Sequence, residues 1–218
     1  MRASLLGRFL WRSVGWLLCW TLLWSVLADG LTAPLGVLAN GVMPALFPAW
    51  AEGVARSGST LTLFTSILVH DLPGMAPGQA AFLAPEVATM KYGYGLPLLL
   101  ALLCASRPRH LAAKAAAGGA VMLGVQLWGV IFDWLRQVGI GQAGELFSPL
   151  QRELIAFGYQ AGTLILPALL PLLLWLALDR RFLAALLLET ALDVHAGPPA
   201  PAAALRDAAR VSGRPPGE

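Results

Sequence analysis

"KYGYGLPLLLALLCASRPRH", residues 91–110, runs from a tyrosine–glycine collar through the apolar stretch 96–105 into a basic turn. Aromatic rings suit the headgroup zone and arginines suit the cytoplasmic edge, so this order reads as a helix crossing a bilayer. Pro97 fits its first turn, where the missing N–H leaves no bond unmade. The apolar stretch falls short of the roughly 20 residues that a hydrocarbon core of about 30 Å requires. The crossing must therefore borrow from both flanks, and it is placed at about 93–107.

The composition agrees with a membrane setting. Of 218 residues 57% are apolar and 12% charged, about half the charged share of an ordinary soluble domain. "FLWRSVGWLLCWTLLWSVLA", residues 9–28, is long enough to span, and Trp11, Trp16, Trp20 and Trp24 recur on a helical spacing. Arg2, Arg8 and the small-residue end "VLA" also fit a cleaved leader. The length and the tryptophans favour a retained anchor. A third span is expected at 112–135. A fourth is expected at 152–178, opened by Ser148, Pro149 and Gln151 as N-cap hydroxyl, first-turn proline and capping-box amide.

Other segments differ in kind. Residues 30–51 are apolar but broken by Pro34, Pro44 and Pro48, which predicts an interfacial or re-entrant stretch. In "STLTLFTSILVH", 59–70, threonine alternates with leucine, and a turn-rich "DLPGMAPGQ" and "AAFLAP" follow. This predicts a small β-hairpin within 54–90. Past "DRR", the stretch "FLAALLLETALDV", residues 182–194, reads as a surface continuation of the fourth span. The domain division is a membrane domain over 1–185 and a disordered Pro/Ala-rich tail over 186–218. The fold class is an all-α membrane protein, with about four transmembrane helices and a small extracytoplasmic hairpin.

Charge orients these spans. With the N-terminus inside, the inner segments hold Arg2, Arg8, Arg12, Arg107, Arg109, Lys114, Arg180, Arg181 and three tail arginines. The outer segments hold Arg56, Lys91, Arg136 and Arg152. That asymmetry follows the positive-inside rule. It places both termini in the cytoplasm of a bacterium, the chain in its inner membrane and the hairpin in the periplasm.

The chemistry is sparse. Cys19 and Cys104 lie in apolar runs, and no Cys-x-x-Cys or paired-His spacing occurs, so no disulfide framework, metal or other cofactor is expected. Gly93-Tyr94-Gly95 has the letters of a potassium filter, but a filter also needs a Thr-Val pair and a preceding pore helix. Met90 and Lys91 stand nearby instead, and a lysine would repel cations. Asp133 lies about a turn from the outer end of the third span, and Gln126 lies seven residues deeper on the same face. An ionisable group at such depth faces the bundle or a cavity. Arg136 at i+3 and Gln137 at i+4 are its local partners.

Two readings of Asp133 follow: a helix-end ion pair, or a polar cluster facing Lys91, Tyr92 and Tyr94, joined by Gln160. The candidate functional residues are Lys91, Tyr92, Tyr94, Gln126, Asp133, Arg136 and Gln160. Cys104, Arg107 and His110 are suggestive in type for an intramembrane enzyme, but they read equally as a helix end and its basic loop. No catalytic set is assigned. The tail arginines are interspersed with Ala and Asp, which does not indicate nucleic acid.

The order of segments carries a resemblance: an anchor, an extracytoplasmic hairpin, "KYGYGLPLLLALL", "VQLWGVIFDWL", then "SPLQRELIAFGYQAGTLILPALLPLLLWLALDRRF". Over about residues 5–185 it resembles the exosortase H-associated membrane protein family. The resemblance implies an accessory role beside an exosortase, a multi-span transpeptidase that processes proteins bearing a C-terminal sorting signal. Exosortases carry a catalytic Cys at an outer helix start, with Arg and His on later helices. Here the collar has tyrosines and glycines, the third span has Gln126 and Asp133, and the fourth has Tyr159 and Gln160. The resemblance thus implies a non-catalytic partner, contacting membrane lipid and either the exosortase or its substrate's membrane segment. The alternatives are a small transporter or channel subunit using the outer polar cluster, and an exosortase-type enzyme with a degenerate site.

Overall fold

The computed structural model describes residues 5–70 and 79–196. In chain order the helices are α1 (Leu5–Val26), α2 (Ala28–Leu46), α3 (Met90–Gly93), α4 (Gly95–Ser106), α5 (Leu111–Arg136), α6 (Pro149–Gln160), α7 (Leu166–Leu178) and α8 (Arg180–Ala196). Between α2 and α3 lie β1 (Ala51–Ser57), β2 (Thr60–Thr65), β3 (Leu68–His70), β4 (Ala80–Phe82) and β5 (Glu86–Ala88). The protein is thus mainly helical, with a short antiparallel sheet component. The turn 71–78, the N-terminal Arg2 and the tail 197–218 lie outside the described residues.

α1, α4, α5 and the α6–α7 pair run alternately up and down. Trp24, near the end of α1, lies against Gly93 at the start of the next passage. Phe9, near the other end of α1, stacks on Trp175 at the end of α7, centroids 5.1 Å apart. Trp175 also donates to Ser106 at the end of α4, at 3.2 Å. The start of α1 and the end of α7 therefore share one end of the bundle, and the sheet sits at the other.

Among the described residues, three helical stretches are long and apolar enough to cross a membrane: Leu6–Val26, Leu111–Ile140 and Pro149–Leu178. The passage expected at 93–107 is the shorter apolar stretch Met90–Ser106, about 25 Å long at 1.5 Å per residue. It recruits "MKYG" as a separate short helix before α4. The last long stretch is not uniform. A π-helical turn at Ala161–Ile165 joins α6 to α7, and a second one at Gln137–Gln142 ends α5. The predicted capping box is formed: Ser148 Oγ accepts from Gln151 N at 3.3 Å, and Gln151 Oε1 accepts from Ser148 N at 2.8 Å.

The region read as one hairpin is more elaborate. β2 pairs antiparallel with β1 through a turn at Gly58 and with β5 on its other side; β3 pairs separately with β4. "AAF" thus returns onto "LVH", while "AEGVARS" supplies a strand that its sequence does not announce. β1 lacks regular apolar alternation, so its pairing is specified by the turn and by neighbours. The sheet also has a core, made with helices. Leu61, Leu63 and Val87 pack with Leu35, Ala39 and Met43 of α2 and with Val130 and Trp134 of α5. Each buried side chain of this size contributes about 2 kcal/mol where water is the alternative.

Residues 30–51 also differ from an interrupted stretch. α2 runs through Pro34 and Pro44 as one helix. Ala28, Thr32, Leu35, Ala39 and Met43 form its buried stripe, and that packing offsets the hydrogen bonds the prolines remove. Polar ties fix α2 to the sheet. Asn40 Oδ1 accepts from Val54 N at 2.8 Å, and Arg56 donates to the Asp29 carbonyl at 2.9 Å. Residues 186–196, assigned above to the tail, belong to α8. Their Leu-rich sequence without proline continues the helix that starts at Arg180.

Candidate functional site

At the sheet end, α3 and α5 meet around Asp133. Gly129 lies one turn before it, on the same face of α5. A side chain there would collide with the ring atoms of Tyr92. The missing Cβ lets the Tyr92 ring lie flat on α5, and the hydroxyl then reaches up to donate to Asp133 Oδ2 at 2.7 Å. Lys91 Nζ approaches the same oxygen at 3.4 Å. Arg136, one turn later on α5, donates to Oδ1 through Nη2 at 3.0 Å and Nε at 3.3 Å. Both carboxylate oxygens are engaged, and Asp133 is 5% exposed.

α6 closes the cluster through Tyr159. Lys91 donates to the Tyr159 hydroxyl at 2.8 Å and lies 4.8 Å from its ring centroid. The Arg136 guanidinium lies 4.6 Å from the same centroid. One ring thus collects two cations, a contact worth about 0.5–1 kcal/mol each at exposed sites. Tyr94 turns aside and donates to the Thr163 carbonyl at 3.1 Å. That carbonyl lies in the π-helical turn, where the ordinary i→i+4 ladder is interrupted.

The sequence-predicted residues divide accordingly. Lys91, Tyr92, Asp133 and Arg136 are brought together. Tyr94 sits beside them on the α6–α7 junction. Gln126 is buried below, next to Gly93 and Trp24, and its side chain makes no hydrogen bond among the described residues. Its neighbours Thr32 and Thr89 bond each other at 2.7 Å. Gln160 is exposed and stays out of the cluster. Gln137 donates to the Glu86 carbonyl at 3.1 Å rather than to Asp133, tying α5 to the sheet. Tyr159, adjacent to Gln160 in the sequence, is a participant outside the candidate residues; its ring meets the two cations only once α3, α5 and α6 pack together.

Chemically this is a closed carboxylate with a cationic and aromatic rim. Four donors already occupy Asp133, so its lone pairs are committed. Lys91 and Arg136 keep 40% of their side chains exposed. The three charges sum to a single positive one, which favours a negative or aromatic group on a neighbour. Cys104, Arg107 and His110 lie at the opposite end, where Arg107 and His110 occupy the left-handed region at φ 50° and 57°. Both cysteines are free. Among the described residues no group of three His, Cys, Asp or Glu side chains gathers to hold a metal.

The family model for exosortase H-associated membrane proteins matches residues 3–182. The chain belongs to that family. The match spans α1 through the start of α8, so it covers the bundle, the sheet and the Asp133 cluster together. Neither the curated proteins nor the solved structures gave a match.

Proposed function

We propose that this exosortase H-associated protein is a non-catalytic companion of an exosortase-type enzyme, holding either the enzyme or the membrane segment of its substrate. Membership of the family carries the reading. The Asp133 cluster supports it: a carboxylate saturated by four donors is suited to fixing helices and presenting a rim, not to moving protons. The rim of Lys91, Tyr94 and Tyr159 is the proposed contact surface. The arginine and lysine asymmetry supports a bacterial inner-membrane setting with both chain ends cytoplasmic and the sheet outside.

Two measurements test this. In a clean deletion strain, proteins with a C-terminal sorting signal should accumulate uncleaved; normal cleavage removes the reading. Gentle-detergent purification at native expression should bring down a multi-span enzyme in near-equal amount. The transporter reading predicts instead a solute or ion flux that Asp133→Asn abolishes.

A further inference from the structure

We propose that the end of the bundle opposite the sheet carries a binding pocket for the phosphate of an anionic phospholipid headgroup, of the phosphatidylglycerol type. Two basic turns converge there. The α4–α5 turn and the start of α5 bring Arg109, His110 and Lys114, and the α7–α8 junction and the start of α8 bring Asp179, Arg180 and Arg181. Between them lies a cavity of about 360 Å³ lined by these six residues with Ala177 and Leu178. Its permanent charges are four cations against one carboxylate.

The carboxylate is an internal anchor. Asp179 is buried, and its Oδ1 lies 3.9 Å from Lys114 Nζ. Arg109, Arg180 and Arg181 are exposed and make no ion pair among the described residues. Three guanidinium groups without anions line one concavity, and each is a planar fork of N–H donors of the kind that phosphate oxygens accept. Asp179 Oδ2 is also buried without a hydrogen-bond partner among the described residues. A headgroup that brings a hydroxyl along with its phosphate offers the missing donor after a small shift of Lys114.

Height selects the source of the phosphate. The pocket lies where α4 and α7 end and α5 begins, at the boundary of the apolar helices. Lipid phosphates occupy that level in a bilayer. Leu172 and Leu173 are exposed on α7 just inside it, so an acyl chain has an apolar flank to follow. Basic pockets between transmembrane helices hold anionic headgroups on this physical basis. The proposal is independent of any exosortase partner.

The test is native mass spectrometry of the full chain from nanodiscs of defined composition. Wild-type protein should retain one phosphatidylglycerol and release phosphatidylcholine. Replacing Arg109, Arg180 and Arg181 by Gln, all at exposed positions, should weaken retention by about fivefold per arginine. Equal retention of the two lipids overturns the proposal. So does retention unchanged by the three substitutions in a protein whose melting curve is preserved. Displacement of the lipid by millimolar inorganic phosphate would mean a free-phosphate site and would likewise overturn it. The comparison of lipids on wild type needs no variant, so a misfolded triple variant leaves the test intact.

Discussion

Asp133 and Asp179 stand at opposite ends of the same bundle, each 5% exposed, each beside cations. Their surroundings differ completely. Asp133 has both oxygens engaged by Tyr92, Lys91 and Arg136. Asp179 has one contact of 3.9 Å and one bare oxygen. A buried charge is tolerated only when well paired and hydrogen-bonded. The carboxylate of Asp133 is therefore saturated and that of Asp179 receptive. Finished clusters fix helices in register; receptive ones await a group from outside. Both ends have an apolar core, one of sheet and helix residues and one of helix residues around Leu99, Met122 and Trp175; what sets the far end apart is that Arg109, Arg180 and Arg181 line its cavity without an ion pair among the described residues.

The largest effect should come from filling the gap beneath Tyr92. Gly129→Leu forces the ring off α5, because the obstacle is the body of an aromatic ring and not a flexible tip. Overpacking of this kind costs about 3 kcal/mol. Thermal unfolding in detergent should show a large fall in midpoint; an unchanged midpoint would mean that Tyr92 has other places to go. Asp133→Asn comes next. It leaves Lys91 and Arg136 without their acid, but both are 40% exposed and regain water. The loss is then about 2 kcal/mol, below the range for a fully buried pair. Tyr92→Phe keeps the ring on Gly129 and removes only the bond at 2.7 Å. About 1–1.5 kcal/mol is expected for a hydrogen bond to a charged group. A Tyr92→Phe loss larger than that of Asp133→Asn would break the claim that the carboxylate organises this end.

The sequence made much of the sheet-end cluster legible, and the reasons are physical. Arg136 follows Asp133 by three residues, a spacing that a helix turns into proximity. Lys91 and Tyr92 form a collar at the matching membrane depth. Tyr159 and Gln160 could not be told apart by such spacing. The segment around them is apolar on most sides, and neighbouring positions differ by about 100° around the axis. The π-helical turn at 161–165 then inserts an extra residue into the register. The sheet was half legible. β2 announced itself by Thr/Leu alternation, whereas β1 has none and is held by the turn to β2 and by ties to α2. α2 was obscured by its prolines, since a helix through Pro34 and Pro44 depends on the tertiary packing of one buried stripe. The capping box was fully legible because both of its bonds are local.

The smallest effect is also the sharpest test of the contrast. Asp179→Asn keeps the shape of the side chain and removes a buried charge that is poorly compensated. Its attraction to Lys114 acts over 3.9 Å, beyond hydrogen-bond distance, and Lys114 is itself partly exposed to solvent. The gain from relieving desolvation should roughly offset the lost attraction. Unfolding should move by less than about 0.5 kcal/mol, against the larger loss at Asp133. If Asp179→Asn is as costly as Asp133→Asn, the far end is held together by its carboxylate after all, and its open oxygen is satisfied in the folded protein by a bound donor that survives purification. If the substitution is neutral, two equally buried acids serve different purposes, one as a lock between helices and one as the floor of a site.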